Sequence, residues 1–291
     1  MDTSHEPLRI VMVIREPMGT LYQRAQEVIR QMGHRLVAVV TSAGPRTRRT
    51  IGYLDIVAQT PVSTDVIVSN YPTRWASVLA PFRPDLIVVL GFSWKLPVDV
   101  IELPRLGTIN MHGALLPNYR GRGDWVLQWM FRNDEPEYGI TYHRVDAGFD
   151  TGPILMKGPV PIGDEDDMMS LLSRAIDVAI DLLPQVIEMA ARGEPGTPQE
   201  GGFYCEPMDP AWRLIDWNVP ARAIHNQVRG WLGQGALATI DGVETRVIKS
   251  RLIGHSNGSA PPGTVLARDN GSLIVQCGDG PIQIIDLSPV G

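Results

Sequence analysis

Apolar positions along the first half of the chain follow two alternating rhythms. Short unbroken runs, "LRIVMVI" (8–14), "RLVAVVT" (35–41), "DVIVS" (65–69) and "DLIVVLGF" (85–92), are rich in Val, Ile and Leu. Runs of this kind mark strands buried on both faces, the habit of a parallel sheet. Between them the apolar residues space out at three and four, the helical period. Thr20 is placed to cap the first helix, which ends near Gly33. "GTINMH" (107–112) and "GITYHR" (139–144) make a fifth and a sixth strand, with an amphipathic helix in "GDWVLQWMFRND" between them. A longer helical stretch runs from Asp164 to Ala191, with acidic residues in its first turn and Pro184 breaking or kinking it. Strands alternating with helices predict an α/β fold: a Rossmann-like, mostly parallel sheet with helices on both faces.

The texture changes at "EPGTPQEGGFYCEPMDP" (194–210), whose Pro and Gly content reads as a linker. A short helix in "PARAIHNQVRGWL" follows, then strand-like pieces; the Asp-Asn-Gly at 269–271 is a hairpin signal. These predict a small C-terminal β-rich domain, an open barrel of the OB-like kind. The expected layout is a catalytic domain over 1–202, a linker over 203–210 and the C-terminal domain over 211–291.

Composition narrows the classes. The 291 residues carry a net charge of −6, which argues against a general nucleic-acid or anionic-membrane binder. Two cysteines in unrelated contexts, Cys205 and Cys277, imply neither a disulfide framework nor a zinc cluster. The start "MDTSHEPLRIVMVI" has acidic residues before a short apolar run, unlike a signal peptide, and no run is long enough to span a membrane. The expectation is a soluble, cytoplasmic protein with no membrane partner.

Chemistry-bearing residues gather where strands end. Asn110 and His112 are two apart on one strand and so share a face. The sixth strand ends at His143 and runs into "RVDAGFDTGP", with Asp146 and Asp150, while "VLGFSWKLP" closes the fourth. In an open α/β sheet such strand ends deliver their side chains into one cleft. Two histidines and a carboxylate could also hold a metal. Asn110 is a poor ligand and no His-x-His or His-x-x-x-His pair exists, so metal-free catalysis is the expectation. The loop "REPMGT" lacks a G-x-G-x-x-G, which argues against a dinucleotide-dependent dehydrogenase.

"GTINMHGALLPNYRGRG", followed by "GITYHRVDAGFDTGPIL" and preceded by "PDLIVVLGF", resembles the signature of the folate-dependent formyltransferases, which act on glycinamide ribonucleotide, methionyl-tRNA or amino sugars. The resemblance extends to about residue 202, and the C-terminal stretch resembles that of the methionyl-tRNA enzymes. It implies a formyl donor, 10-formyltetrahydrofolate, and an amine acceptor. It assigns Asn110 and His112 to stabilising the oxyanion and Asp150 to proton transfer with His112. It places the pterin against Trp94, Lys95 and Leu96 on one side and Val145, Asp146, Ala147, Gly148 and Phe149 on the other. Asp146 has the plainer reading of shaping its loop, and Trp94 that of a core aromatic.

The acceptor divides the subfamilies. Position 143 is His, as the glycinamide ribonucleotide and sugar-amine enzymes favour, and Ala114 stands where Ser is usual before LLP. His143, Asp124 and Trp125 are candidate substrate contacts; a helix start and a core aromatic explain the last two equally well. From Glu206 onward acids slightly outnumber bases, against the basic surface that tRNA phosphates ask for. The cluster Arg46, Arg48 and Arg49 reads as a solvated loop or a phosphate grip. A small-molecule amine is therefore the expected partner, with methionyl-tRNA as the alternative. Formimidoyl transfer, hydrolysis of the formyl donor and a catalytically idle folate-binding module are the other readings.

Overall fold

The structure is a computed structural model describing residues 6–15, 18–44, 50–231, 233–254, 260–269 and 271–290. The Arg46, Arg48 and Arg49 cluster, part of the "REPMGT" loop and Asn270 of the hairpin turn lie outside the described residues. In chain order the elements are β1 (Arg9–Ile14), α1 (Gly19–Gln31), β2 (Arg35–Thr41), α2 (Tyr53–Gln59), β3 (Asp65–Val68), α3 (Trp75–Leu79), β4 (Leu86–Leu90), α4 (Val98–Ile101), β5 (Thr108–His112), α5 (Gly123–Arg132), β6 (Glu137–Arg144) and β7 (Ile154–Pro161). They continue with α6 (Met168–Ala191), α7 (Ala221–Gly230), β8 (Ala236–Ile240), β9 (Val243–Leu252), β10 (Val265–Asp269), β11 (Ser272–Gln276) and β12 (Pro281–Pro289).

Seven strands form one sheet in the order β3-β2-β1-β4-β5-β6-β7. The first five run parallel, and β6 turns antiparallel to β5. The Val/Ile/Leu runs give β1 and β4 side chains that are buried on both faces. On one face Val11, Val13, Ile87 and Val89 pack with Trp75, Leu79 and Val100. Ile87→Ala should therefore cost about 2–5 kcal/mol, read by denaturant unfolding. A loss below about 1 kcal/mol would show that this face is not the core.

The chain divides into two compact units. The first comprises Met1–Gly123, Gly139–Pro159 and Ala175–Tyr204; the second comprises Asp124–Tyr138, Val160–Arg174 and Cys205–Gly291. In the second, β10-β11-β12-β9-β8 form an antiparallel sheet. Its inward residues Val247, Val275, Ile282 and Ile284 bury against Ile224 and Val228 of α7. Asp269 pairs directly with Ser272, so the expected hairpin forms.

Three local expectations are corrected. Thr20 does not cap α1: the helix already begins at Gly19, and the Met18 carbonyl accepts from the Tyr22 N–H at 2.9 Å without a side-chain cap. The acids at 164–167 precede α6 instead of forming its first turn. Asp167 caps it, its Oδ1 accepting from the N–H of Met169 and of Ser170. Finally, of the break or kink expected at Pro184 the break does not occur, because α6 continues through it as one helix. Proline removes only the one bond it would have donated to the Ile180 carbonyl, and a helix of 24 residues retains the rest.

Candidate active site

The register of β5 on β6 builds the site. Asn110 lies directly opposite His143, and His112 opposite Thr141. Directly opposed residues on an antiparallel pair have Cβ atoms about 4.5–5.5 Å apart, near enough for side chains to bond. Asn110 Nδ2 lies 3.0 Å from His143 Nε2. His143 Nδ1 donates to the Arg144 carbonyl at 2.7 Å, which fixes the tautomer and leaves Nε2 to accept from Asn110. The carboxamide is thereby oriented by a ring that is itself only 2 % exposed.

Asp150 is the hub. The loop between β6 and β7 brings its carboxylate back over the sheet with the backbone in the left-handed region, φ 55°. Oδ1 accepts from Asn110 Nδ2 at 3.4 Å and lies 3.5 Å from His143 Nε2. Oδ2 accepts from the Gly121 N–H at 3.0 Å and lies 3.5 Å from His112 Nδ1. Burial opposes the charge, but the positive charge that His112 carries when protonated, the contact with His143 and the Gly121 amide outweigh it and hold the carboxyl below its ordinary range. Burial pushes the His112 imidazole down, although Asp150 and the Tyr119 carbonyl pull the other way. His112 Nε2 donates to that carbonyl at 2.8 Å. The neutral ring consequently turns a bare Nδ1 toward Asp150, and the gap between the two can hold one proton.

Most of the candidate donor-binding residues line one cleft with this cluster. Trp94, Lys95, Leu96, Val145, Asp146, Gly148 and Phe149 surround it together with Val89, Phe92, Asn110, His143 and Asp150. Ala147 is exposed and does not line it. Asp146 ties its own loop, Oδ1 accepting from the Gly148 N–H and the Thr151 hydroxyl. His112 is not among the lining residues but lies 3.5 Å from Asp150, which is, whereas His143 is on the wall. Asp124 and Trp125 lie in the second unit, in the first turn of α5, with Asp124 exposed.

Sequence reasoning missed Tyr119, Gly121 and Gln199. The first two act through backbone atoms, which leave no side-chain signature. Gln199 sits in the stretch read as a linker, yet its carboxamide bonds to the Asp150 and Gly152 carbonyls. Glycines allow this close approach. A Cβ on Gly152 would lie 1.9 Å from the Arg144 carbonyl oxygen, and one on Gly202 2.0 Å from that of Pro117.

The profile of the family described as Formyl transferase matches residues 9–187, and that of its C-terminal domain matches 207–291. The chain belongs to the folate-dependent formyltransferase family. A methionyl-tRNA formyltransferase of Pelobacter propionicus is 35% identical over 269 residues, 89% of this chain and 82% of that one. Among solved structures, an N-formyltransferase from Helicobacter canadensis with folinic acid and dTDP-3-aminofucose aligns with a TM-score of 0.71 at 19% identity, covering 97% of this formyltransferase and 100% of that chain. HypX from Aquifex aeolicus with tetrahydrofolic acid aligns with a TM-score of 0.68 at 18% identity over 98% of this chain. This formyltransferase spans only 44% of that HypX chain, and at such identities both likenesses speak for the fold alone. Among the described residues no helix is long and apolar enough to cross a membrane.

Proposed function

We propose that this formyltransferase moves a formyl group from 10-formyltetrahydrofolate to the primary amine of a small molecule, an amino sugar or a specialised metabolite. The observation that carries the acceptor class is how the C-terminal arginines are engaged. Of the seven Lys and Arg from Glu206 onward, five are committed within the second unit. Arg213 donates to the Gly235 and Gln234 carbonyls, Arg222 to Asp164, Arg229 to the Gly163 and Asp166 carbonyls, Arg251 to Glu165 and Arg268 to Asp241. A tRNA surface needs cations that can release counterions from phosphates, and pairing with acids of the same unit weakens that pull for three of the five, Arg222, Arg251 and Arg268.

The cleft suits a flat heteroaromatic donor, with apolar Val89, Phe92, Leu96 and Val145 on its walls and Asn110 among its polar lining. Attack by the acceptor nitrogen forms the new C–N bond and turns the formyl C=O into C–O⁻. Asn110 meets that oxyanion with the amide hydrogen that Asp150 holds only loosely, at 3.4 Å. The surplus proton of the amine passes to Asp150 and His112 Nδ1. It then returns to the folate nitrogen as the C–N10 bond breaks. His143 acts by orienting Asn110, and its buried ring leaves little surface for a substrate.

Methionyl-tRNA is the second reading, favoured by the 35% identity to the Pelobacter propionicus enzyme. Incubation with 10-formyltetrahydrofolate and a panel of amino sugars and amino-acid derivatives, beside charged initiator tRNA, separates the two. A formylated small amine is the expected product, and turnover confined to the tRNA would overturn the choice. Product mass distinguishes formyl from formimidoyl, and formate release without an acceptor would indicate a hydrolase.

A pH profile follows from the same pair. His112 must be unprotonated at Nδ1 to accept the proton, and burial lowers its affinity below the ordinary imidazole value of 6.5. As pH falls through 6.5 it stays a base, so the acid limb of kcat/KM is expected below that value. A limb centred above it would contradict the role given to His112.

A further inference from the structure

Gln199 makes four hydrogen bonds between two loops that meet at one carboxylate. Its Nε2 donates to the Asp150 carbonyl at 2.9 Å and to the Gly152 carbonyl at 2.7 Å. Its Oε1 accepts from Arg120 Nε at 3.3 Å and Nη2 at 3.0 Å. Arg120 is in turn fixed to the following stretch. Nη2 donates to the Gly201 carbonyl at 3.0 Å, and the backbone N–H of Arg120 donates to the Phe203 carbonyl at 3.0 Å. The next residue, Gly121, provides the N–H that holds Asp150 Oδ2. One carboxamide thus fixes the backbone of Asp150 from one side and the neighbour of its anchoring amide from the other.

That arrangement answers a local need. A non-glycine residue in the left-handed region is strained and persists where its surroundings over-determine it. Asp150 is such a residue, and no strand or helix contains it. Each donor and acceptor of the Gln199 carboxamide is used, so no other side chain reproduces the set. Glutamate would keep the Arg120 fork but turn an acceptor toward two carbonyls, and asparagine is one methylene short.

We propose that Gln199 and Arg120 are positioning residues for formyl transfer, a brace that holds Asp150 and the Gly121 amide in the geometry by which the carboxylate meets Asn110 and His112. The inference rests on the reading of Asp150 as the proton-handling group. It gives the Pro- and Gly-rich stretch after α6 a task beyond connecting two units. Neither side chain reaches substrate in this role; both act through Asp150.

The test uses the full chain with Gln199→Glu, Gln199→Ala and Arg120→Lys, and Asp150→Asn as the control for the underlying reading. Amide hydrogen exchange at Gly121 reports the brace without needing an acceptor. Exchange at Gly121 should rise about tenfold in both Gln199 variants, with strand amides of β1 and β4 unchanged. A loop displaced by about 1 Å should lower kcat about a hundredfold with the best acceptor, while folinic acid affinity shifts by less than about threefold because neither Gln199 nor Arg120 lines the cleft. Arg120→Lys, which keeps the charge and loses the fork, should fall between.

Wild-type Gly121 exchange and kcat in Gln199→Glu would overturn the brace. Exchange that accelerates uniformly, with kcat per folded enzyme unchanged, would also overturn it by reducing Gln199 to a general stabiliser. If Asp150→Asn instead keeps full turnover, the proton-handling reading fails on its own, and Gly121 exchange still decides whether the brace holds.

Discussion

Asp150→Asn is expected to lower kcat/KM by about 10²–10⁴-fold, the range general acid–base groups supply, while the chain stays folded. Among the described residues the carboxylate is the one group that reaches Asn110, His112, His143 and the Gly121 amide together. Asparagine has nearly the same shape and can still accept at one oxygen, so packing is preserved. It cannot hold a proton beside His112 Nδ1, and its NH2 would face either His112 Nδ1 together with the Gly121 N–H, or Asn110 Nδ2 together with His143 Nε2. Steady-state kinetics with unfolding as a control would check this. A variant within about threefold of wild type would remove Asp150 from the chemistry.

Asn110→Ala should be nearly as severe, costing about 2.7–4 kcal/mol of barrier, the usual loss for one oxyanion donor. Its carboxamide is the one member of the Asn110–His112–Asp150 set that both lines the cleft and carries hydrogens to give. The loss should appear in kcat more than in donor KM, because the oxyanion exists only in the transition state. His143→Phe should fall well short of that loss: it leaves the donor in place and frees only the hydrogen that the ring accepts at 3.0 Å. An Asn110→Ala enzyme with wild-type kcat and raised KM would instead mark Asn110 as a ground-state binding group.

Much of the site could be read along the chain because strands obey a period of two. Asn110 and His112 share a face, and both reach Asp150. The aspartate loop and the segment after β4 line one cleft because their strands flank β5 in the sheet. What could not be read was register. The opposition of Asn110 and His143 is set where an antiparallel strand returns after a helix, and no local pattern encodes that alignment. His112 was expected beside Asn110 on the cleft wall, but it is not among the lining residues: the Tyr119 carbonyl takes its Nε2 and the buried ring lies 3.5 Å from Asp150. Gln199 was invisible for another reason. Its partners are carbonyls whose direction depends on loop backbone, and a polar residue among Pro and Gly carries no periodic signal.

In the proposed reaction one cleft presents a formyl carbonyl to Asn110 with Asp150 alongside. A crystal structure with folinic acid and a formylatable amine tests it most directly. We expect the pterin between residues 92–96 and 145–150, and the acceptor nitrogen on the Asp150 side. N10, which carries the formyl group in the donor, should lie where the oxygen of a formyl group on it can come within about 2.7–3.2 Å of Asn110 Nδ2. Folinic acid bound outside this cleft, or within it but with the reacting centre turned away from Asn110 and Asp150, would contradict the account.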